Sequence, residues 1–156
     1  MSDLLFNNKP TKFHGGEQNP DTIVIHAMGE YINGVHASDF LSSIKLSAHY
    51  LIELDGVITK LVPTDRKAYH AKGHNTNTIG IEVLVEGDHN YETFIEAIKS
   101  DYVKPKQMEV LINLVNAIDG YWPIQRVVRH SDIDPERKED PGTGFDWEYF
   151  KSKIYV

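Results

Sequence analysis

Eight histidines are spread along a 156-residue chain that contains no cysteine, so any metal chemistry must run on imidazole and carboxylate ligands. Two of the eight stand apart. His26 closes the apolar run at residues 22–26 (TIVIH), and His130 follows the run RVVR at residues 126–129. A side chain at the end of a strand projects from a rigid edge, and rigid placement is what a ligand or a catalytic group needs. The competing reading is a histidine that only hydrogen-bonds. His14, His36 and His89 sit in polar, turn-like surroundings and read as surface residues. Beyond His130 the chain offers five acids, Asp132, Asp134, Glu136, Glu139 and Asp140. Two imidazoles and one carboxylate form a recurrent zinc set that leaves the fourth position to water, but spacing does not choose among the five, and a solvated acidic loop explains them equally well.

The elements that must hold these residues are legible in part. Residues 1–20 are polar and turn-rich and read as a loosely structured lead-in to a single domain spanning residues 1–156. A strand over residues 22–26 is followed by a helix over about 39–46, with Ser38 as its cap. Residues 49–54 and 57–62 flank Asp55-Gly56, a dipeptide favoured in two-residue hairpin turns. Residues 78–85 (TIGIEVLV) form another strand, followed by a short helix over about 91–100. A longer helix over about 105–119 has Pro105 in its first turn, Met108, Leu111, Ile112, Val115 and Ile118 on one face, and Gly120 as its stop. A last strand over 124–129 delivers His130 into a Pro- and Gly-containing loop. Strands mixed with helices in this order predict an α/β (α+β) domain with a central mixed β-sheet flanked by helices.

Composition narrows the functions. A hydrophobic share of 40% and a charged share of 25% are those of a globular protein. The net charge of −7 argues against a nucleic-acid binder. No apolar stretch approaches the roughly 20 residues that span a bilayer, so membrane insertion is not expected. The first residues lack a basic segment followed by an apolar one, which predicts a protein cytoplasmic as synthesised. A monomer is expected.

The segment RHSDIDPERKEDPGTGFDW at residues 129–147 resembles the C-terminal signature of the type 2 N-acetylmuramoyl-L-alanine amidases. That family is related to short phage lysins and to the animal peptidoglycan recognition proteins. Three further segments agree in the same order: IVIHAM at 23–28, SAHYLIELDG at 47–56 and AYHAKGHNTNTIGIEV at 68–83. The resemblance covers about residues 21–150. It implies a Zn²⁺ site of His26, His130 and Asp140, which settles the choice among the five acids. It also places the family's general base on Glu82 and an oxyanion-stabilising lysine on Lys138. Phage lysins often carry a tyrosine where this chain has His49, so His49 is a supporting catalytic candidate. The loop before the Glu82 strand, with His70, Lys72, Asn75 and Asn77, reads as a substrate-binding wall. Phe145 and Trp147 read as packing residues.

The resemblance implies zinc-dependent hydrolysis of the amide between N-acetylmuramic acid and L-alanine, with peptidoglycan or a muropeptide as partner. The leading expectation is a phage-type lysin reaching the wall by a holin-like route. The alternative is a cytosolic recycling amidase acting on anhydromuramyl peptides. A non-catalytic peptidoglycan-binding module is the rival from another class, and a complete ligand set speaks against it.

Overall fold

A computed structural model describes residues 4–156. The chain runs through β1 (Phe6–Asn8), β2 (His14–Glu17), β3 (Thr22–Ile32), β4 (Val35–His36), α1 (Ala37–Ser43), β5 (Tyr50–Ile52) and β6 (Ile58–Lys60). It continues through β7 (Arg66–Ala68), β8 (Thr78–His89), α2 (Tyr91–Ala97), α3 (Pro105–Asp119), β9 (Arg126–Arg129), α4 (His130–Ile133) and α5 (Trp147–Lys153). The main sheet runs β1-β6-β5-β8-β3-β4, with β9 also paired to β3; β2 and β7 form a separate two-stranded sheet. β3 pairs in parallel with β8 and β9, whereas the β5–β6 hairpin is antiparallel. The sheet is therefore mixed, as expected.

Period-two alternation gives the central strands two buried faces. Ile23, Ile25 and Ala27 of β3, with Ile79, Ile81, Val83 and Val85 of β8, join the larger core with Leu111, Leu114 and Val115 of α3 and Phe150 of α5. On the opposite face, Leu84 packs with Leu51, Leu41 of α1 and Val62 in a smaller core. His26 and Glu82 are offset by one residue from the large-core positions and share this second face.

Several local expectations change. Strands β1 and β2 lie inside the segment read as a loose lead-in: β1 pairs in parallel with β6 and β2 antiparallel with β7. Gln18 nails this segment down. It is buried, its amide donates to the carbonyls of Thr64 and Thr78, and its oxygen accepts the Asn77 N–H. Such pairing is long-range and leaves no local apolar pattern to read. The N-cap of α1 is His36 rather than Ser38, its side chain accepting the Ser38 N–H. The hairpin turn is also wider than two residues. Glu53 N–H bonds the Val57 carbonyl, and Gly56 takes φ of +88°, the left-handed value Gly supplies without strain. His130 opens the short helix α4 rather than a loop.

α3 matches its predicted bounds because Pro105 and an amphipathic face act together. One polar residue ties it to the sheet. The buried Gln107 amide donates to Ile52 O at 3.1 Å and Leu84 O at 2.9 Å, and its oxygen accepts the Lys104 N–H. Replacing Gln107 with leucine strands these groups, and urea unfolding should show a loss of about 1–3 kcal/mol.

Candidate metal centre

The parallel registers set the floor of the site. His26 of β3 lies directly beside Glu82 of β8, and Ile25 beside Arg129 of β9, which brings His130 next to His26. Adjacent strands lie about 4.8 Å apart, so His26 and Glu82 rise side by side from neighbouring strands, and His130, the first residue of α4 just past the end of β9, stands beside them. Asp140 arrives from the segment after α4. That segment is held by Ser131 N–H to Asp140 O (3.0 Å), Tyr102 Oη–H to Pro141 O (2.7 Å) and Gly144 N–H to Ile98 O (2.7 Å). Gly144 has no room for a side chain, since a Cβ there would sit 1.8 Å from Ser100 O.

His26 Nδ1 and His130 Nδ1 face each other at 2.9 Å. Asp140 approaches His130 Nδ1 at 3.2 Å and His26 Nδ1 at 3.4 Å, and one of its oxygens also accepts the Ala27 N–H at 3.2 Å. All three residues are buried, and their ligating atoms lie within 4.8 Å of one another. A tetrahedral site with bonds of about 2.0–2.1 Å has ligand-to-ligand edges of about 3.3 Å, and the observed separations bracket that value. The donor set therefore fits a metal ion. His130 Nε2 and Glu82 Oε1 are buried and have no hydrogen-bond partner within the described protein.

The electrostatics follow from burial. His26 is pushed below its ordinary pKa by desolvation, with Asp140 opposing. Burial alone would raise Asp140, but the imidazoles of His130 and His26 outweigh it and hold the carboxyl below the usual carboxylate range. A cation in the same place acts in the same direction. Glu82, whose Oε2 is 3.9 Å from His26 Nδ1, is raised well above its usual range by burial and then by the charge of Asp140, while Lys138 opposes the shift. The cleft above is walled by Lys138, Met28, Phe40, Leu46, Phe94 and Ile95.

Of the residues singled out in the sequence, His26, His130, Asp140, Glu82, Lys138 and His70 meet at this cleft. The other predicted site residues are placed elsewhere, whereas His89, read as a surface residue, and Glu139 also line the cleft. His49 is fully buried beneath it, with Nδ1 accepting the Gly80 N–H at 3.0 Å and Nε2 donating to Arg66 O at 2.8 Å. Both nitrogens serve backbone groups, and His49 does not reach the cleft lining where the other candidates meet. Asn75 folds back to accept the N–H groups of His70 and Ala71, and Asn77 accepts the Asn19 N–H at φ of +60°. Lys72 is exposed outside the cleft lining. Of the four loop residues only His70 lines the cleft. The apolar wall contributed by α1 and α2 escaped the sequence reading because its residues resemble ordinary core positions. Phe145 is buried in the larger core, with Trp147 packed against it.

Desolvation also lowers His49 to about 4, against 6.5 when unperturbed, with the Arg66 carbonyl opposing. The folded state resists a proton that the unfolded state accepts. Stability is therefore complete above about 6.5 and falls as pH drops towards about 4, by about 3 kcal/mol from this residue. Chemical unfolding of metal-free protein across that range should show the loss, and His49→Gln should flatten the slope.

A family model described as N-acetylmuramoyl-L-alanine amidase matches residues 16–143. The chain is 36% identical over 120 residues to the 1,6-anhydro-N-acetylmuramyl-L-alanine amidase AmpD of Haemophilus influenzae, covering 71% of this chain and 60% of that protein. It thus spans less than two thirds of that relative's length. Among solved structures, the endolysin amidase LysCS of Clostridium intestinale superposes with a TM-score of 0.75 at 28% identity, covering 98% of this chain and 95% of that one. The amidase AmiD of E. coli, solved with anhydro-N-acetylmuramic acid-L-Ala-D-gamma-Glu-L-Lys, gives a TM-score of 0.65 at 28% identity, covering 88% and 58%.

Proposed function

The chain belongs to the N-acetylmuramoyl-L-alanine amidase family, and on that premise we propose that it hydrolyses the amide between N-acetylmuramic acid and L-alanine with zinc held by His26, His130 and Asp140. The convergence of His26 Nδ1, His130 Nδ1 and an Asp140 oxygen beside a buried Glu82 carries the proposal. When bound, zinc supplies a Lewis acid and a water whose pKa falls to about 7.

The chain's own groups supply the rest. Glu82 stands beside the ligands with one oxygen unpartnered, and burial raises its proton affinity. It is thereby suited to take a proton from the attacking water and return it to the departing nitrogen. Lys138 lies at the cleft and bears electrostatically on both His26 and Glu82. Its ammonium is placed to stabilise negative charge developing on the scissile carbonyl oxygen. The apolar walls from Met28, Phe40, Phe94 and Ile95 limit water around the reacting atoms.

Two forms of substrate are in play. Superposition over 98% of the chain on an endolysin amidase supports cell-wall peptidoglycan, the leading reading. Identity of 36% to an amidase named for the 1,6-anhydro sugar favours soluble anhydromuramyl peptides as the second reading. Among the described residues no helix is long and apolar enough to cross a membrane.

Mass spectrometry of digests decides between them. Rapid release of free stem peptides from intact sacculi supports the lysin reading, and release only from soluble anhydromuropeptides overturns it in favour of the second. Glu82→Gln should keep its zinc and lose at least about 100-fold in turnover. Asp140→Ala should lose tight zinc binding, as measured by titration of chelator-treated protein. Near-normal turnover in Glu82→Gln would refute the base assignment.

A further inference from the structure

His26 presents Nδ1 to the metal cluster, and its other ring nitrogen does not face solvent. His26 Nε2 lies 2.8 Å from His70 Nδ1, and His70 Nε2 lies 2.9 Å from Thr78 Oγ1. The Thr78 hydroxyl has a single proton and two carbonyl neighbours, His74 O at 2.8 Å and Asn75 O at 3.1 Å. Carbonyls only accept, so that proton is committed to one of them.

The consequence passes along the chain of contacts. Thr78 Oγ1 must accept from His70 Nε2–H. A neutral imidazole has one donor and one acceptor, so His70 Nδ1 carries no proton and accepts from His26 Nε2–H. His26 Nδ1 is then left with a lone pair, aimed at His130 Nδ1 and Asp140. From this we propose that His70 is a positioning residue: with Thr78 behind it, it fixes His26 in the tautomer and ring orientation required to bind metal. The inference rests on the metal reading above, but the tautomer itself is a property of the metal-free protein.

The surroundings hold His70 in place. Its backbone N–H is capped by Asn75 Oδ1 at 3.0 Å, and its ring stands edge-on to His26 with centroids 5.0 Å apart. Gly80 leaves the space the ring occupies: a Cβ there would lie 2.4 Å from both Cγ and Nδ1 of His70. The glycine two residues before Glu82 is therefore required by the His70 ring lying over β8. Among the described residues His130 has no such support, since none of them partners its Nε2. The two histidines are thus unequal, with His26 preorganised from behind. Outer partners of metal-bound histidines typically contribute 10–100-fold in affinity.

Long-range ¹H–¹⁵N correlation spectra of metal-free protein labelled in histidine, together with zinc titrations, test the proposal. In the wild type, His26 and His70 should both be protonated at Nε2. His70→Ala should weaken zinc binding by about 10–100-fold and release His26 into a mixture of tautomers. His70→Asn, whose amide oxygen can accept from His26 Nε2–H, should recover most of the affinity. Thr78→Val, which leaves both rings in place, should disturb the tautomers of both histidines. A His26 protonated at Nδ1 in the free wild type overturns the proposal. So does wild-type zinc affinity in His70→Ala, or equal losses in His70→Ala and His70→Asn with an unchanged His26 tautomer. If the wild type itself binds no zinc, the metal reading fails, and the tautomer spectra still decide the relay.

Discussion

The parallel registers that β3 makes with β8 and β9 constrain everything built above them. Because His26 pairs with Glu82 and Ile25 with Arg129, one proposed ligand, the base candidate and the residue before the second proposed ligand reach the same level of the sheet. A slip of one residue in either pairing would turn the displaced side chain to the opposite face and bury it in the larger core. The isoleucines and valines on that face hold the register, so the apolar core and the site geometry are one constraint.

Placing these groups together has an electrostatic cost. Two carboxylates and two imidazoles share a buried corner, where burial disfavours every charged form. The outcome is asymmetric: Asp140 remains ionised against the histidines, while Glu82, with no partner for Oε1, is held towards its protonated form. A cation among His26, His130 and Asp140 would offset the burial of Asp140 and, on the proposed reading, leave Glu82 as the carboxylate that exchanges a proton. Separating a ligand carboxylate from a proton-carrying carboxylate is the division of labour that amide hydrolysis requires.

How much of this could be read from the chain depends on where each residue's partners lie. Helix α3 was legible because Pro105 and its apolar face are local signals, and His130 was marked by the strand it follows; His26 was marked by the apolar run it closes, although β3 continues past it to Ile32. Asp140 was not legible from spacing among its acidic neighbours; only the resemblance of the segment around it singled it out. His49, Asn75 and Asn77 carry the residue types of a site, but their side chains bond the backbone of Gly80, His70, Ala71 and Asn19, contacts that exist only after folding. Strands β1 and β2 were missed for the same reason, as their pairing is with distant segments and not with a local pattern. The relay through His70 and Thr78 depends on angles and distances between side chains that no spacing encodes.

X-ray absorption at the zinc edge tests most directly whether the centre is made of two imidazoles and one carboxylate. On zinc-loaded protein, scattering from two histidine rings is expected, with nitrogen and oxygen ligands at about 2.0–2.1 Å. A spectrum with one imidazole or none, or with ligands only at the longer distances of an adventitious hydrated ion, would contradict it.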